Sequence, residues 1–198
     1  WKIIYGGPLS LGDFIKKTFS KEGTRAFDVN FMNRIYERDF VVEIMDFDDV
    51  PQTQESSKSL GRHLNGYRIG FDAGGSDRKV SAVVDGVAIY SEEIIWHPKL
   101  NSDPSYHYKG ILSSIQMAAS KMPRVDGIGV SAAGVYIDNK VMAASLFIKV
   151  PVTAFDKHVK YMFIDIAKDM GDIPIEVAND GDVTALAGAM SLNSDQVL

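Results

Sequence analysis

Along this chain, apolar residues alternate, run together or recur at helical spacing in separate stretches, and those stretches predict its elements. The signal is clearest from Tyr67 onward. Tyr67–Asp72 reads as a strand. Arg78–Val84 and Val87–Ile95 are apolar runs joined by Asp85-Gly86, a strong two-residue hairpin signal. Tyr108, Ile111, Leu112, Ile115, Ala118, Ala119 and Met122 then recur at helical spacing. Pro123 ends that helix, because its ring cannot continue the hydrogen-bond ladder. Val125–Ser131 is a short apolar strand, and Tyr136–Ala143 reads as a small hairpin around Asp138-Asn139. Val159, Met162, Phe163, Ile166 and Met170 form the stripe of a second helix, with Gly171 as its left-handed cap. Ile173–Ala178 is another strand, and the Ala-rich stretch Asp182–Leu192 a third helix. The order βββαβαβα implies an α/β fold: a mixed five-stranded sheet flanked by helices.

Residues 1–66 have a different texture. They read as an irregular N-terminal extension with candidate helices at Asp13–Lys21 and Val29–Asp39, and the polar run Gln52–Ser59 reads as a linker. Residues 67–198 form the second region.

Composition narrows the function classes. The chain has 198 residues, 45% hydrophobic and 24% charged, so a packed core is expected. Its net charge of −5, with 9 basic and 10 acidic residues in 1–66, weighs against a nucleic-acid partner. There is no cysteine, which excludes disulfides, thiolate zinc sites and cysteine nucleophiles and fits a cytoplasmic location. No apolar run approaches the roughly 20 residues that span a bilayer, so no membrane role is expected. The chain opens on Trp1, which suggests an earlier start.

Three motifs carry chemistry. Phe71-Asp72-Ala73-Gly74-Gly75-Ser76 sits at the tip between the first two strands. Its adjacent glycines let the backbone reach positive φ and approach a ligand, and bare N–H groups there can cradle phosphate oxygens. Asp72 is placed to hold Mg²⁺. A plain hairpin turn accounts equally well for Gly-Gly alone. Ala178-Asn179-Asp180-Gly181-Asp182 falls where a strand hands over to a helix, the side on which open sheets bind ligands. A carboxylate there can accept the proton of a substrate hydroxyl. Helix capping competes with that role; capping is assigned to Asp182 and chemistry to Asp180. Gly127–Gly134 contains a nominal dinucleotide fingerprint, but its glycines lie within the strand and a hairpin follows where a helix is required. His63, His97, His107 and His158 lack metal-ligand spacing.

Together these pieces resemble the first lobe of the superfamily of sugar kinases, heat-shock chaperones and actin, and within it the ROK family. Phe71–Ser76 is similar to that family's first phosphate loop, Asp-x-Gly-Gly-Thr/Ser. Gly127–Gly134, followed by Ala144-Ser145-Leu146, resembles its Gly-x-Gly-x-Pro-Gly strand and Asn-Leu substrate loop. Val177-Ala178-Asn179-Asp180 with Ala185-Leu186-Ala187 resembles its Glu-Asn-Asp-Ala-Asn and small-residue helix. The match covers about residues 67–192.

The resemblance implies an RNase H-like, actin-type ATPase lobe and transfer of the γ-phosphate of Mg-ATP to a sugar hydroxyl. In it Asp180 is the base, Asn179, Ser145, Ala133 and Gly134 meet the sugar, Gly74, Gly75 and Ser76 lie against the ATP phosphates, and Asp72 is near Mg²⁺. It also implies a nucleotide and a sugar as partners and a homo-oligomer. The family includes sugar-responsive transcriptional regulators, which leaves that role open, and a non-catalytic actin-like binding lobe is a third reading. Three departures stand out: Asp77 where Lys or Asn is commoner, Ser145 for the sugar-contacting Asn, and no proline in Ser131-Ala132-Ala133. With the chain stopping at Leu198, the second lobe is expected to be absent and this half alone inactive.

Overall fold

A computed structural model describes residues 2–54 and 64–192. The chain divides into two compact units, 1–59 and 60–198.

The first unit is more regular than its sequence suggests. It contains β1 (Lys2–Gly6), α1 (Leu9–Thr18), α2 (Ala26–Tyr36) and β2 (Val41–Met45), with β1 and β2 paired in parallel. The expectation of an irregular extension is therefore corrected. Both strands have only five residues and lie far apart in the chain, so neither shows a readable period. The helices begin three or four residues before their expected starts. Residues 55–59 of the expected linker and His63 lie outside the described residues.

The second unit is built on β3 (Tyr67–Ala73), β4 (Asp77–Val84), β5 (Val87–Ile95), α3 (Pro104–Ala119), β6 (Gly127–Ala132), the hairpin β7 (Val135–Ile137) and β8 (Lys140–Ala143), a short α4 (Val152–Ala154) running into a π-helical stretch Phe155–Val159, α5 (Met162–Asp169), β9 (Ile175–Asn179) and α6 (Asp180–Leu192). The five-stranded sheet has the order β5-β4-β3-β6-β9. β4 is antiparallel to β3 and β5, while β6 is parallel to β3 and to β9. Two-residue turns close both hairpins. Asp85 and Gly86 have φ of 49° and 82°, and Asp138 and Asn139 have 50° and 62°, the left-handed pair that matches strand twist.

Alternation sorts the sheet's faces. Ile69, Phe71 and Ala73 on β3 lie level with Val80 and Ala82 on β4 and with Ile128, Val130 and Ala132 on β6, and all are buried. Together with Ile111, Ile115 and Ala118 of α3 and Met162, Phe163 and Ile166 of α5 they form the core. Burying each of the larger side chains among them, Val, Ile, Met or Phe, contributes about 1.5–3 kcal/mol. The other face carries Gly70, Asp72, Gly129, Ser131 and Ala178, and α6 meets β6 and β9. The outer edge of β9 is closed by a side chain: Asn139 Nδ2 donates to Ile175 O (3.0 Å), and its Oδ1 accepts from Val177 N (2.8 Å).

Candidate functional site

Sheet register decides where the motifs meet. Ala73, Ala132 and Asn179 lie on one line across the parallel strands β3, β6 and β9. At strand spacings near 4.8 Å that line is roughly 10 Å long. The residues that follow, Gly74, Ala133 and Asp180, therefore all leave the sheet at the same carboxyl edge, where open sheets bind ligands. One row back, Asp72 is level with Ser131 and Ala178.

The β3–β4 turn is held from outside by Trp96, which is 1% exposed. Its indole Nε1 donates to Gly74 O (2.8 Å) and Asp77 O (2.9 Å), and its backbone N–H donates to Ser76 O (3.0 Å). The Arg78 guanidinium lies over the ring at 5.4 Å, and Arg78 Nε donates to Ser114 Oγ (2.8 Å). Burial lowers the Arg78 pKa from its ordinary value. The glycines do not serve positive φ, as the sequence suggested: neither Gly74 nor Gly75 has one. They serve close approach. A Cβ on Gly74 would sit 2.6 Å from Asp77 O, and one on Gly75 would sit 3.0 Å from Lys99 Nζ. Ser76 is exposed and Asp72 half-buried. Asp77 is paired with Lys79 Nζ at 3.3 Å, and that hydrogen bond raises the Lys79 pKa.

The other two motifs are joined directly. Asn179 Nδ2 donates to Gly134 O (2.9 Å), and its Oδ1 accepts from Gly181 N (2.8 Å), two residues on. That second bond is an N-cap, so capping of α6 belongs to Asn179, and α6 starts at Asp180, two residues earlier than expected. The assignment of the cap to Asp182 is corrected accordingly. The exposed Asp180 carboxylate accepts from Gly181 N at 3.0 Å. Gly134 has φ of +156°, and a Cβ there would lie 2.5 Å from Ala143 O and 2.9 Å from the Ala144 side chain. This packing sets Ala133-Gly134 against the segment that leads into Ser145, the exposed first residue of a 3-10 turn through Phe147. Gly74, Gly75, Ser76, Ala133, Gly134, Asn179 and Asp180 are thus on this edge, with Asp72 one row back and Ser145 on a segment packed against it.

The donor set suits a hard cation held jointly with phosphate. Among the described residues no group of three or more His, Asp or Glu side chains forms a closed metal site. Asp72 is a single carboxylate, and Mg²⁺ characteristically takes one or two carboxylates plus substrate phosphates. A cavity of about 290 Å³ lined by Asp103, Tyr108, Lys157 and His158 lies elsewhere, between α3 and the π-helical stretch.

No family model and no curated protein matches the chain. Solved structures do. A ROK family transcriptional regulator, a homologue of the E. coli MLC protein, superposes with a TM-score of 0.51 and 20% identity over 67% of this chain and 33% of that one. A glucokinase from Parabacteroides distasonis superposes with a TM-score of 0.50 and 16% identity over 65% of this chain and 35% of that one. The chain shares its fold with the matched part of these two structures. An inorganic polyphosphate/ATP-glucomannokinase from an Arthrobacter strain is also similar, at a TM-score of 0.47 and 20% identity, over 63% of this chain and 48% of that one. The chain thus spans a third to a half of the length of these three structures. No described helix is long and apolar enough to cross a membrane.

The structure places one further residue, which the motifs missed, beside the Ala133-Gly134 loop. The Tyr136 hydroxyl lies 3.5 Å from Ala133 O and 3.1 Å from where a Gly134 Cβ would be. Burial, and then the charge of Asp180, push its phenol above the ordinary tyrosine range. The only sequence signal for it was an aromatic at the start of a hairpin, which is an ordinary core position.

Proposed function

We propose that this chain is the first lobe of an ATP-dependent sugar kinase, residues 67–198 forming that lobe, and that it transfers the γ-phosphate of Mg-ATP to a sugar hydroxyl. The observation that carries the reading is the register that delivers Gly74, Ala133 and Asp180 to one edge. Phosphoryl transfer asks a protein mainly for positioning and charge stabilisation. Gly74, Gly75 and Ser76 face the phosphates through backbone N–H groups. Asp72 would hold the Mg²⁺ that accompanies the nucleotide, which when bound would supply neutralising charge at the phosphate oxygens. Asp180 accepts the proton of the attacking hydroxyl. Ala133, Gly134 and Ser145 line the sugar, and Asn179 contributes chiefly by fixing the Ala133-Gly134 loop and the start of α6 in one arrangement. A second lobe completes the site, and the protein works in the cytoplasm as a homo-oligomer.

A sugar-responsive regulator is the second reading, supported by the likeness to the ROK regulator. The parallel βααβ arrangement of residues 2–45 and the near-neutral charge of residues 1–66 favour it less. Calorimetric titration of the two-lobed protein with Mg-ATP and a panel of hexoses and amino sugars separates the readings. Binding of both ligands with ADP release supports the kinase. Sugar binding without nucleotide binding supports the regulator, and binding of neither overturns both.

A further inference from the structure

The phosphate turn carries an acidic residue, Asp77, at the position following Ser76. Its carboxylate pairs with Lys79 at 3.3 Å, and Gly74, Gly75 and Ser76 themselves carry no cation. A second lysine reaches it from another element. Trp96 and Pro98 are buried on either side of His97, and the 3-10 turn Pro98–Leu100 is stapled by Leu100 N donating to His97 O (3.2 Å), Asn101 N to Pro98 O (3.2 Å) and Asn101 Nδ2 to His97 O (2.7 Å). His107, fully buried, places its Nε2 3.0 Å from Pro98 O and 3.1 Å from Leu146 O, which ties the same turn to the Ser145 loop. From this fixed base the Lys99 side chain runs over Gly75, with Cε and Nζ each 3.0 Å from the position of a Cβ there. No ion pair holds Lys99 among the described residues.

We propose that Lys99 is the phosphate-contacting cation of this site, supplied across the turn in place of the one the turn itself lacks. Resting on the kinase reading, the inference adds what that reading does not contain: a charged donor for polyphosphate oxygens, anchored by Trp96 and Pro98. A side chain at Gly75 would push the lysine tip aside by a few tenths of an ångström. An ammonium beside a phosphate makes charge-assisted hydrogen bonds, and a compact charge on a flexible stem can follow an oxygen as it moves.

The test is amide-resolved NMR titration of the two-lobed protein with Mg-ATP and, separately, inorganic pyrophosphate, in wild type, Lys99→Gln and Lys99→Arg. The exposed position of Lys99 leaves the core untouched, and unchanged signals in β6 and β9 verify the fold. The expected result is that both ligands shift Gly74, Gly75 and Ser76, that Lys99→Gln weakens both about tenfold, and that Lys99→Arg stays within about threefold of wild type. The deficit should shrink at about 0.5 M salt, where screening is short-ranged. Equal affinity of Lys99→Gln and wild type overturns the role of Lys99 and leaves the phosphate loop standing. Lys99→Arg as weak as Lys99→Gln also overturns it, since charge would not be what matters. If neither ligand moves the loop amides of wild type, Lys99 and the phosphate-loop reading fall together.

Discussion

Replacing Trp96 with Phe tests whether the phosphate turn is shaped from outside. The indole N–H serves two carbonyl oxygens, Gly74 O at 2.8 Å and Asp77 O at 2.9 Å, and Phe removes that donor while keeping an aromatic ring. Both carbonyls belong to half-buried residues, so water replaces the lost bond only in part. The cost of stranding them is about 1–2 kcal/mol. The smaller ring also leaves a gap beside Tyr106, which stacks at 6.4 Å, and against Arg78, for about 1 kcal/mol more. A loss of about 2–3 kcal/mol corresponds to a fall in Tm of roughly 8 °C for a unit of this size. Thermal unfolding by circular dichroism reads the stability, and amide hydrogen exchange at Gly74–Asp77 reads the turn, which should exchange faster in the variant. A Tm within about 2 °C of wild type with unchanged exchange would refute the clamp.

Two further outcomes follow from the geometry. Gly134→Ala places a Cβ 2.5 Å from Ala143 O at a φ of +156°, so it should destabilise by about 3 kcal/mol and detach the Asn179–Gly134 bond; denaturant unfolding checks it, and a loss under 1 kcal/mol would contradict the packing described. Tyr108 donates to Asp169 Oδ2 at 2.5 Å, and burial first, then that bond, push its phenol up to about 12 from 10.0. A raised acid stabilises the fold below its unfolded pKa and loses that contribution as pH climbs through the folded one. Wild type should therefore exceed Tyr108→Phe in stability by a constant margin below pH 10, and the margin should close between about pH 10 and 12; a margin independent of pH in urea titrations would count against it.

What the sequence made legible was local. Asp85-Gly86 and Asp138-Asn139 announced their hairpins because left-handed two-residue turns have a fixed chemistry, and Gly171 ended its helix with φ of +97° for the same reason. The buried rows on β3, β4 and β6 followed from alternation, and the order of elements gave the sheet class. What stayed hidden depends on partners distant in sequence. The parallel pairing of Lys2–Gly6 with Val41–Met45 is visible only when the chain folds back. The Asn179 amide bonds to Gly134 O and Gly181 N, and only the register between β6 and β9 brings the first of these near. Trp96, Lys99 and Tyr136 carry no motif. Trp96 and Lys99 approach the β3–β4 turn and Tyr136 approaches the Ala133-Gly134 loop, contacts that no local pattern announces.

The central claim is that Asp180 and the β3–β4 turn form two halves of one phosphoryl-transfer site. The measurement that bears on it most directly is the rate of phosphate transfer from Mg-ATP to a sugar by the two-lobed protein, in wild type and Asp180→Asn. Asp180 is exposed at the start of α6, so the variant should fold and bind sugar within a few-fold of wild type. Loss of a hydroxyl-orienting base lowers kcat by about 10²–10⁴. A kcat unchanged in Asp180→Asn would contradict the account, as would a wild-type protein that transfers phosphate to no sugar.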